Sequence, residues 1–202
     1  MRTPRLRVPA VLGGAALAAV LAVPATSQAT VPTGVSTASW NLRHSWVDYL
    51  VNPFLSLGQG RVTPTGATAA DKPVADPAGG AAAGPPSTPY GYVWKVGGDV
   101  TTGGTRTVTL RGGLDFDQPL HGIDISLRNL RVVPSGSTET LVVDGSYKTT
   151  AGNTVTLTGT TFGTVSATGG VTLSAAGAAI FNGGSNGSYA AGDAFGTVAY
   201  GS

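Results

Sequence analysis

The chain has 202 residues, with 31 Gly, 13 Pro, no Cys, only 11% charged residues and a net charge of +2 at pH 7. The absence of cysteine excludes a disulfide framework, thiolate zinc sites, iron-sulfur clusters and a cysteine nucleophile. Two histidines and a single glutamate, Glu139, are too few for an all-protein His/Glu metal cage, because such sites take several ligands.

The N-terminus carries Arg2, Arg5 and Arg7, then an apolar run from Val8 to Val23, then Pro24 and the small-residue stretch Ala25-Thr26-Ser27-Gln28-Ala29. This is the layout of a secretory signal peptide over residues 1–29, with cleavage expected after Ala29 and Ala25 as a second candidate. A membrane anchor needs about 20 apolar residues, and this run is shorter and interrupted by Pro9. Removing residues 1–29 leaves 173 residues, with nine basic side chains against ten acidic ones. The apparent basicity therefore belongs to the signal, and nothing in the remainder forms the basic cluster that nucleic acid or an anionic membrane requires. No second run of spanning length follows, so the mature product is expected to be secreted, extracellular or held at the cell surface by a partner.

Residues 30–202 fit one domain. Ala38, Trp40 and Leu42 alternate as in a strand; Ser45 is then placed to cap a short helix carrying Trp46, Tyr49 and Leu50, which Pro53 ends by restricting Asn52. Residues 64–88, rich in Gly, Ala, Pro and Thr, read as a flexible loop. From Tyr90 onward the apolar residues alternate: Tyr90, Tyr92, Trp94 and Val96; Val108 and Leu110; Leu114 and Phe116; Ile123, Ile125 and Leu127. Further strands are expected at 141–143, 155–157, 171–173 and 198–200. Asp144-Gly145, Gly152-Asn153 and Gly169-Gly170 serve as turn signals. The pattern predicts a mainly β fold, an antiparallel β-sandwich or barrel-like sheet with one or two short helices.

Hydrolytic chemistry has little support. No Gly-x-Ser-x-Gly elbow is present, and chance sets such as His44-Ser45 or Asp117 near His121 arise readily in a serine-rich chain. The acids Asp99, Asp115, Asp117 and Asp124 match no calcium-loop spacing. The chain is expected not to be an enzyme.

Three segments are more informative. The first is Trp40-Asn41-Leu42-Arg43-His44-Ser45-Trp46-Val47-Asp48-Tyr49-Leu50. The second runs Phe116-Asp117-Gln118-Pro119-Leu120-His121-Gly122-Ile123. The third comprises Leu173 to Phe181 with Gly177 and Ala178, followed by Tyr189-Ala190-Ala191-Gly192. In this order they resemble the HtaA-type haem-binding domain, a secreted or surface module of actinobacterial haem uptake. The resemblance spans residues 38–193. It departs from the family pattern between Phe116 and His121, where Pro119 is inserted and the spacing is looser.

The resemblance implies that Tyr49 is the axial ligand to ferric haem, bound as cargo, and that His121 supports it. Ser45, Trp46 and Tyr189 occupy other matching positions. A phenolate is a hard anionic oxygen donor suited to iron(III), and an unperturbed phenol, with a pKa of about 10, needs a hydrogen-bond partner and the metal to ionise. Without Cys, and with Met confined to Met1, Tyr and His are the conventional axial ligands left. Trp46, Leu50 and Phe54 are candidates for an apolar wall, and Arg43, His44 or Ser45 for contact with the propionates. Tyr189 reads either as a site residue or as a packing residue, and His44 either as surface decoration or as an alternative ligand. The implied partners are haem or haem proteins and a membrane haem receptor or transporter. The competing reading is a β-sandwich adhesion or carbohydrate-binding module with Tyr90, Tyr92 and Trp94 as an exposed stacking platform.

Overall fold

The computed structural model describes residues 31–69, 90–135, 138–185 and 187–202. The expected signal segment and residues 70–88 of the expected loop lie outside the described residues. Residues 64–65 and 67–69 belong to two short strands joined at Gly66.

In chain order the elements are β1 (Thr37–Asn41), α1 (His44–Val51), α2 (Pro53–Ser56), β2 (Arg61–Thr65), β3 (Ala67–Ala69), β4 (Gly91–Thr102), β5 (Thr105–Leu110), β6 (Gly113–Gln118), a 3-10 turn (Pro119–His121), β7 (Ile123–Ser135), β8 (Thr138–Lys148), β9 (Thr154–Val165), β10 (Gly170–Leu173), α3 (Ala175–Ser185) and β11 (Ala194–Gly201). All strand pairings given by the registers are antiparallel, in the order β7-β5-β4-β1-β11-β10-β9-β8, and β8 returns to β7. The eight strands thus close into a barrel, the second of the two expected architectures, and three short α-helices accompany it where one or two were expected. Closure removes the open edges that a flat sheet would leave.

The alternating residues point inward as the period of two requires: Trp40, Tyr92, Trp94, Phe116, Ile125, Leu127, Val143 and Phe162 are all fully buried. The aromatics meet mainly edge to face, Trp40 with Phe162 at 5.2 Å and Phe162 with Phe181 at 5.8 Å, a geometry favoured by the ring quadrupole. Phe181 stacks on Phe195 at 4.3 Å. Tyr90, Tyr92 and Trp94 are 5%, 1% and 0% exposed. The platform required by the adhesion reading is therefore part of the core.

The strand β7 changes partners along its length. Its first half pairs with β6, its second half with β5, and β8 follows it on the other side. The break falls at Asn129, whose φ is +47°, where the β7–β8 register also shifts. The hairpin β6–β7, with β2 on its outer edge, therefore extends past the barrel wall and carries the Pro119–His121 turn toward α1. Asp144-Gly145 lies within β8 and makes no turn. Gly145 is required there because a Cβ would stand 1.9 Å from the Ser126 carbonyl oxygen.

Helix α1 begins at His44, with Arg43 at its N-cap; Ser45 lies inside the first turn and makes no cap. Trp46, Val47 and Leu50 form its buried stripe. Pro53 ends it, as expected, and Asn52 then caps α2 by accepting from the N–H groups of Phe54 and Leu55 at 2.9 and 3.3 Å. That new direction turns Phe54 outward, to 89% exposure. Among the described residues no helix is long and apolar enough to cross a membrane.

Candidate functional site

The site begins with the short passage from β1 into α1. Because Trp46 points into the core, Arg43 and Tyr49, three residues before and after it, share its side of the helix. Together with Tyr189, Asp193 and the backbone around Gly187 and Ser188 they line a cavity of about 340 Å³.

Trp46 is the wall. It is 1% exposed and packs against Phe181 at 4.9 Å, Phe116 at 5.9 Å and Tyr189 at 6.1 Å. Its buried indole N–H has no hydrogen-bond partner among the described residues, which leaves a donor unsatisfied in the surroundings of the cavity.

Tyr49 is half-buried, and its hydroxyl lies 2.5 Å from Nδ1 of His121. The two residues come from α1 and from the 3-10 turn after β6. Gly122, with φ +68°, closes that turn in the left-handed region. Gln118, fully buried, fixes the approach by donating from Nε2 to the Tyr49 carbonyl at 3.3 Å. Burial pushes the Tyr49 phenol above its usual value; with Nδ1 of His121 unprotonated, the hydroxyl donates to it. If the phenol ionises, the same short contact serves in reverse, with a protonated Nδ1 donating to the oxygen.

Tyr189 forms the opposite wall. Asn182 clamps its backbone from α3, donating from Nδ2 to the Tyr189 carbonyl at 2.7 Å and accepting from the Tyr189 N–H at 2.8 Å. Burial raises the Tyr189 pKa, with the nearby Arg43 opposing the rise. Arg43 stands over the Tyr189 ring at 5.5 Å, donates from Nε to Ser45 Oγ at 2.8 Å and from Nη1 to the Ala194 carbonyl at 3.1 Å. The guanidinium thus stands over an aromatic ring, and among the described residues Nη2 has no hydrogen-bond partner, an arrangement suited to a carboxylate.

Of the residues singled out in the sequence, Tyr49, Trp46 and Tyr189 line the cavity, His121 bonds Tyr49, and Ser45 orients Arg43. Leu50 is fully buried and Phe54 stands outside, so neither lines the cavity. His44 is 5% exposed and packs its ring 4.0 Å from that of Tyr90. It is neither a surface residue nor placed at the cavity. Gln118 and Asp193 fall in the second and third matching segments without a role assigned to them, and Asn182 lies just past Phe181; what they do depends on contacts that the sequence does not display. No cluster of three or more His, Cys, Asp or Glu side chains capable of holding a bare metal ion occurs among the described residues. The donor set instead suits a planar apolar ligand whose metal accepts a phenolic oxygen and whose periphery carries an acid.

Comparison with known proteins agrees on the fold. The HtaA family model (Htaa) matches residues 35–200. The C-terminal domain of HtaA from Corynebacterium glutamicum is similar in structure at a TM-score of 0.59 and 19% identity, over 82% of this chain and 95% of that one. The haem-binding protein HtaB from the same organism gives 0.57 and 18%, over 82% and 91%. The N-terminal domain of HtaA gives 0.57 and 20%, over 81% and 94%. Among curated proteins none matches the chain.

Proposed function

The chain belongs to the HtaA family, and on that premise we propose that it is a secreted haem-binding protein that captures ferric haem through Tyr49 and releases it to a membrane haem-uptake system. The observation that carries the reading is the 2.5 Å contact between the Tyr49 hydroxyl and His121 Nδ1, beside a cavity walled by Trp46 and Tyr189. HtaB, a structural neighbour, is described as a haem-binding protein.

Ferric haem, when bound, supplies a Lewis-acidic iron that favours the phenolate over the phenol. The chain's own residues do the rest. His121 would take the phenol proton at Nδ1 and hold the oxygen by donating back, while the ring's other proton passes from Nε2 to solvent, a supporting contact of the kind that fixes and tunes a metal ligand. Trp46 and Tyr189 provide aromatic surface for the macrocycle. Arg43, oriented by Ser45 and the Ala194 carbonyl, offers its remaining N–H groups to a propionate. Nothing in this arrangement activates a nucleophile or substrate bond, which supports a binding protein over an enzyme. Reversible capture is consistent with a single side-chain ligand on a half-exposed helix face, and the expected signal segment supports export.

Titration of the purified protein with ferric haem, followed in the visible spectrum, tests the reading. A saturable Soret change at one equivalent, with the charge-transfer bands of high-spin tyrosinate ligation, is expected. A spectrum that never saturates, or that shows no tyrosinate bands, overturns the function or the ligand, respectively.

A further inference from the structure

Exposed apolar side chains are concentrated at one place. Five large ones are exposed among the described residues, and four of them, Phe54 (89%), Leu55 (42%), Leu57 (70%) and Leu120 (48%), lie on α2, at its C-terminal cap or on the 3-10 turn packed against it; among the five only Val100 lies elsewhere. Leu120 immediately precedes His121, so this apolar knob adjoins the Tyr49–His121 pair.

The knob is also rigid and strained. Asn52 caps α2 through two backbone N–H groups, and Pro53 opens it, which fixes the direction in which Phe54 projects. Leu57 sits in the left-handed region at φ +48°, a conformation that glycine adopts without cost and that disfavours a leucine. Backbone strain of this kind clusters at ligand clamps and binding sites.

The dimensions of the site point to that use. Pockets that enclose a small ligand run to roughly 300–1,000 Å³ and cover most of its surface. A tetrapyrrole belongs at the upper end, yet the cavity beside Tyr49 is about 340 Å³. Most of a macrocycle ligated at Tyr49 would lie beyond it. On the Arg43 side the lining is polar; on the His121 side the neighbouring surface is the knob.

We propose that Phe54, Leu57 and Leu120 form an apolar shelf that covers the part of the haem macrocycle the Trp46–Tyr189 cavity cannot hold, and so set how slowly haem leaves. This rests on the haem-binding reading above. The shelf positions the ligand and does not ligate it, and its contribution scales with the apolar area it removes from water.

Haem release is measured by mixing the ferric complex with excess apomyoglobin in a stopped-flow instrument, for the wild type, Phe54→Ser and Leu57→Gly. Both variants are expected to release haem about tenfold faster or more, since losing the burial of one such side chain corresponds to at least that ratio. Their tyrosinate spectra are expected to match the wild type, because Tyr49 is untouched. Leu57→Gly is also expected to melt at or above the wild-type temperature, because it relieves the strained φ, which separates a ligand contact from a folding role. Phe54 is almost fully exposed, so Phe54→Ser keeps the test valid should Leu57→Gly misfold. Release rates equal to the wild type in both variants overturn the shelf while leaving haem binding intact. A wild-type protein that binds no haem overturns the underlying reading instead.

Discussion

The Tyr49 hydroxyl and His121 Nδ1 lie 2.5 Å apart across 72 residues of sequence, one on the first helix and the other on a turn that only the overhanging β6–β7 hairpin brings within reach. The contact is closer than most hydroxyl hydrogen bonds. Replacing the tyrosine removes the donor oxygen, whereas replacing the histidine removes only its support. Tyr49→Phe is expected to abolish the tyrosinate bands and weaken ferric haem binding by about a hundredfold or more. His121→Ala is expected to retain the bands but weaken binding by about 10–100-fold, the usual cost of losing a ligand's supporting partner. Titrations followed in the visible spectrum give both numbers.

Haem affinity is expected to depend on pH in one direction. Burial raises the Tyr49 pKa in the free protein, so ligation at neutral pH must displace the phenol proton. Binding coupled to proton release weakens as pH falls, by up to about tenfold per unit for one proton. Apparent affinities measured between pH 6 and 8 should therefore rise with pH. The same series on Tyr49→Phe should be nearly flat, and an equal slope in that variant would assign the proton to another group.

Arg43 is held at three points: Ser45 Oγ, the Ala194 carbonyl and the face of Tyr189. A guanidinium presented in this way binds a carboxylate with little further ordering. Arg43→Ala is expected to weaken haem binding by about tenfold, corresponding to about 1.4 kcal/mol for a partly exposed charged hydrogen bond. Arg43→Lys should recover only part of this, because an ammonium cannot keep the bonds to Ser45 and Ala194 and still offer a planar pair of N–H groups. Binding of the haem dimethyl ester, which lacks the acids, should be insensitive to either change.

Asp144 is a staple on the outside of the barrel. It accepts two bonds from Arg131 at 2.8 Å, one from the Gly159 N–H at 2.7 Å and one from Asn129 at 3.1 Å. Chiefly the Arg131 hydrogen bonds, and then the Gly159 N–H, hold its pKa well below the usual carboxylate range. A depressed folded-state pKa contributes stability that is present above the unfolded value, near 3.9, and is lost as pH falls through the folded one. Asp144→Asn is expected to cost about 1–2 kcal/mol at pH 7, discounted for partial exposure. The gap in denaturation midpoints between variant and wild type should narrow only below about pH 4.

The strands were legible because alternation of apolar residues follows directly from the pleat: Tyr90 to Val96 and Ile123 to Leu127 could be placed without a partner in view. Barrel closure was not, because it depends on how β7 divides itself between β6 and β5 at Asn129, and no local pattern marks that break. Asp144-Gly145 has turn chemistry, yet here the glycine is needed so that β8 can approach Ser126. Tyr49 and His121 were found by resemblance in ordered motifs. Phe54 stands outside the cavity, not beside Leu50, because the chain changes direction at Pro53 and helical spacing does not carry past it. Asn182 acts through two hydrogen bonds to a residue 7 positions away, and Gln118 through bonds to carbonyls 69 and 68 positions away, for which composition offers no guide.

Gly177 links the remote scaffold to the site. It sits in α3 where a Cβ would stand 2.0 Å from the Phe162 carbonyl oxygen and 3.2 Å from a Leu173 methyl. The obstruction is backbone, so it cannot rotate away, and the helix would have to lift off β9. Gly177→Ala is therefore expected to destabilise the fold by about 1–3 kcal/mol, the usual cost of overpacking, despite alanine's better helix propensity. Because Asn182 on the same helix clamps Tyr189, the lifted helix should also loosen the cavity wall and speed haem release, although residue 177 is not among those lining the cavity. Chemical denaturation and release to apomyoglobin would be measured on one preparation. A variant that loses stability but keeps the wild-type release rate would show that the Tyr189 wall is held independently of α3.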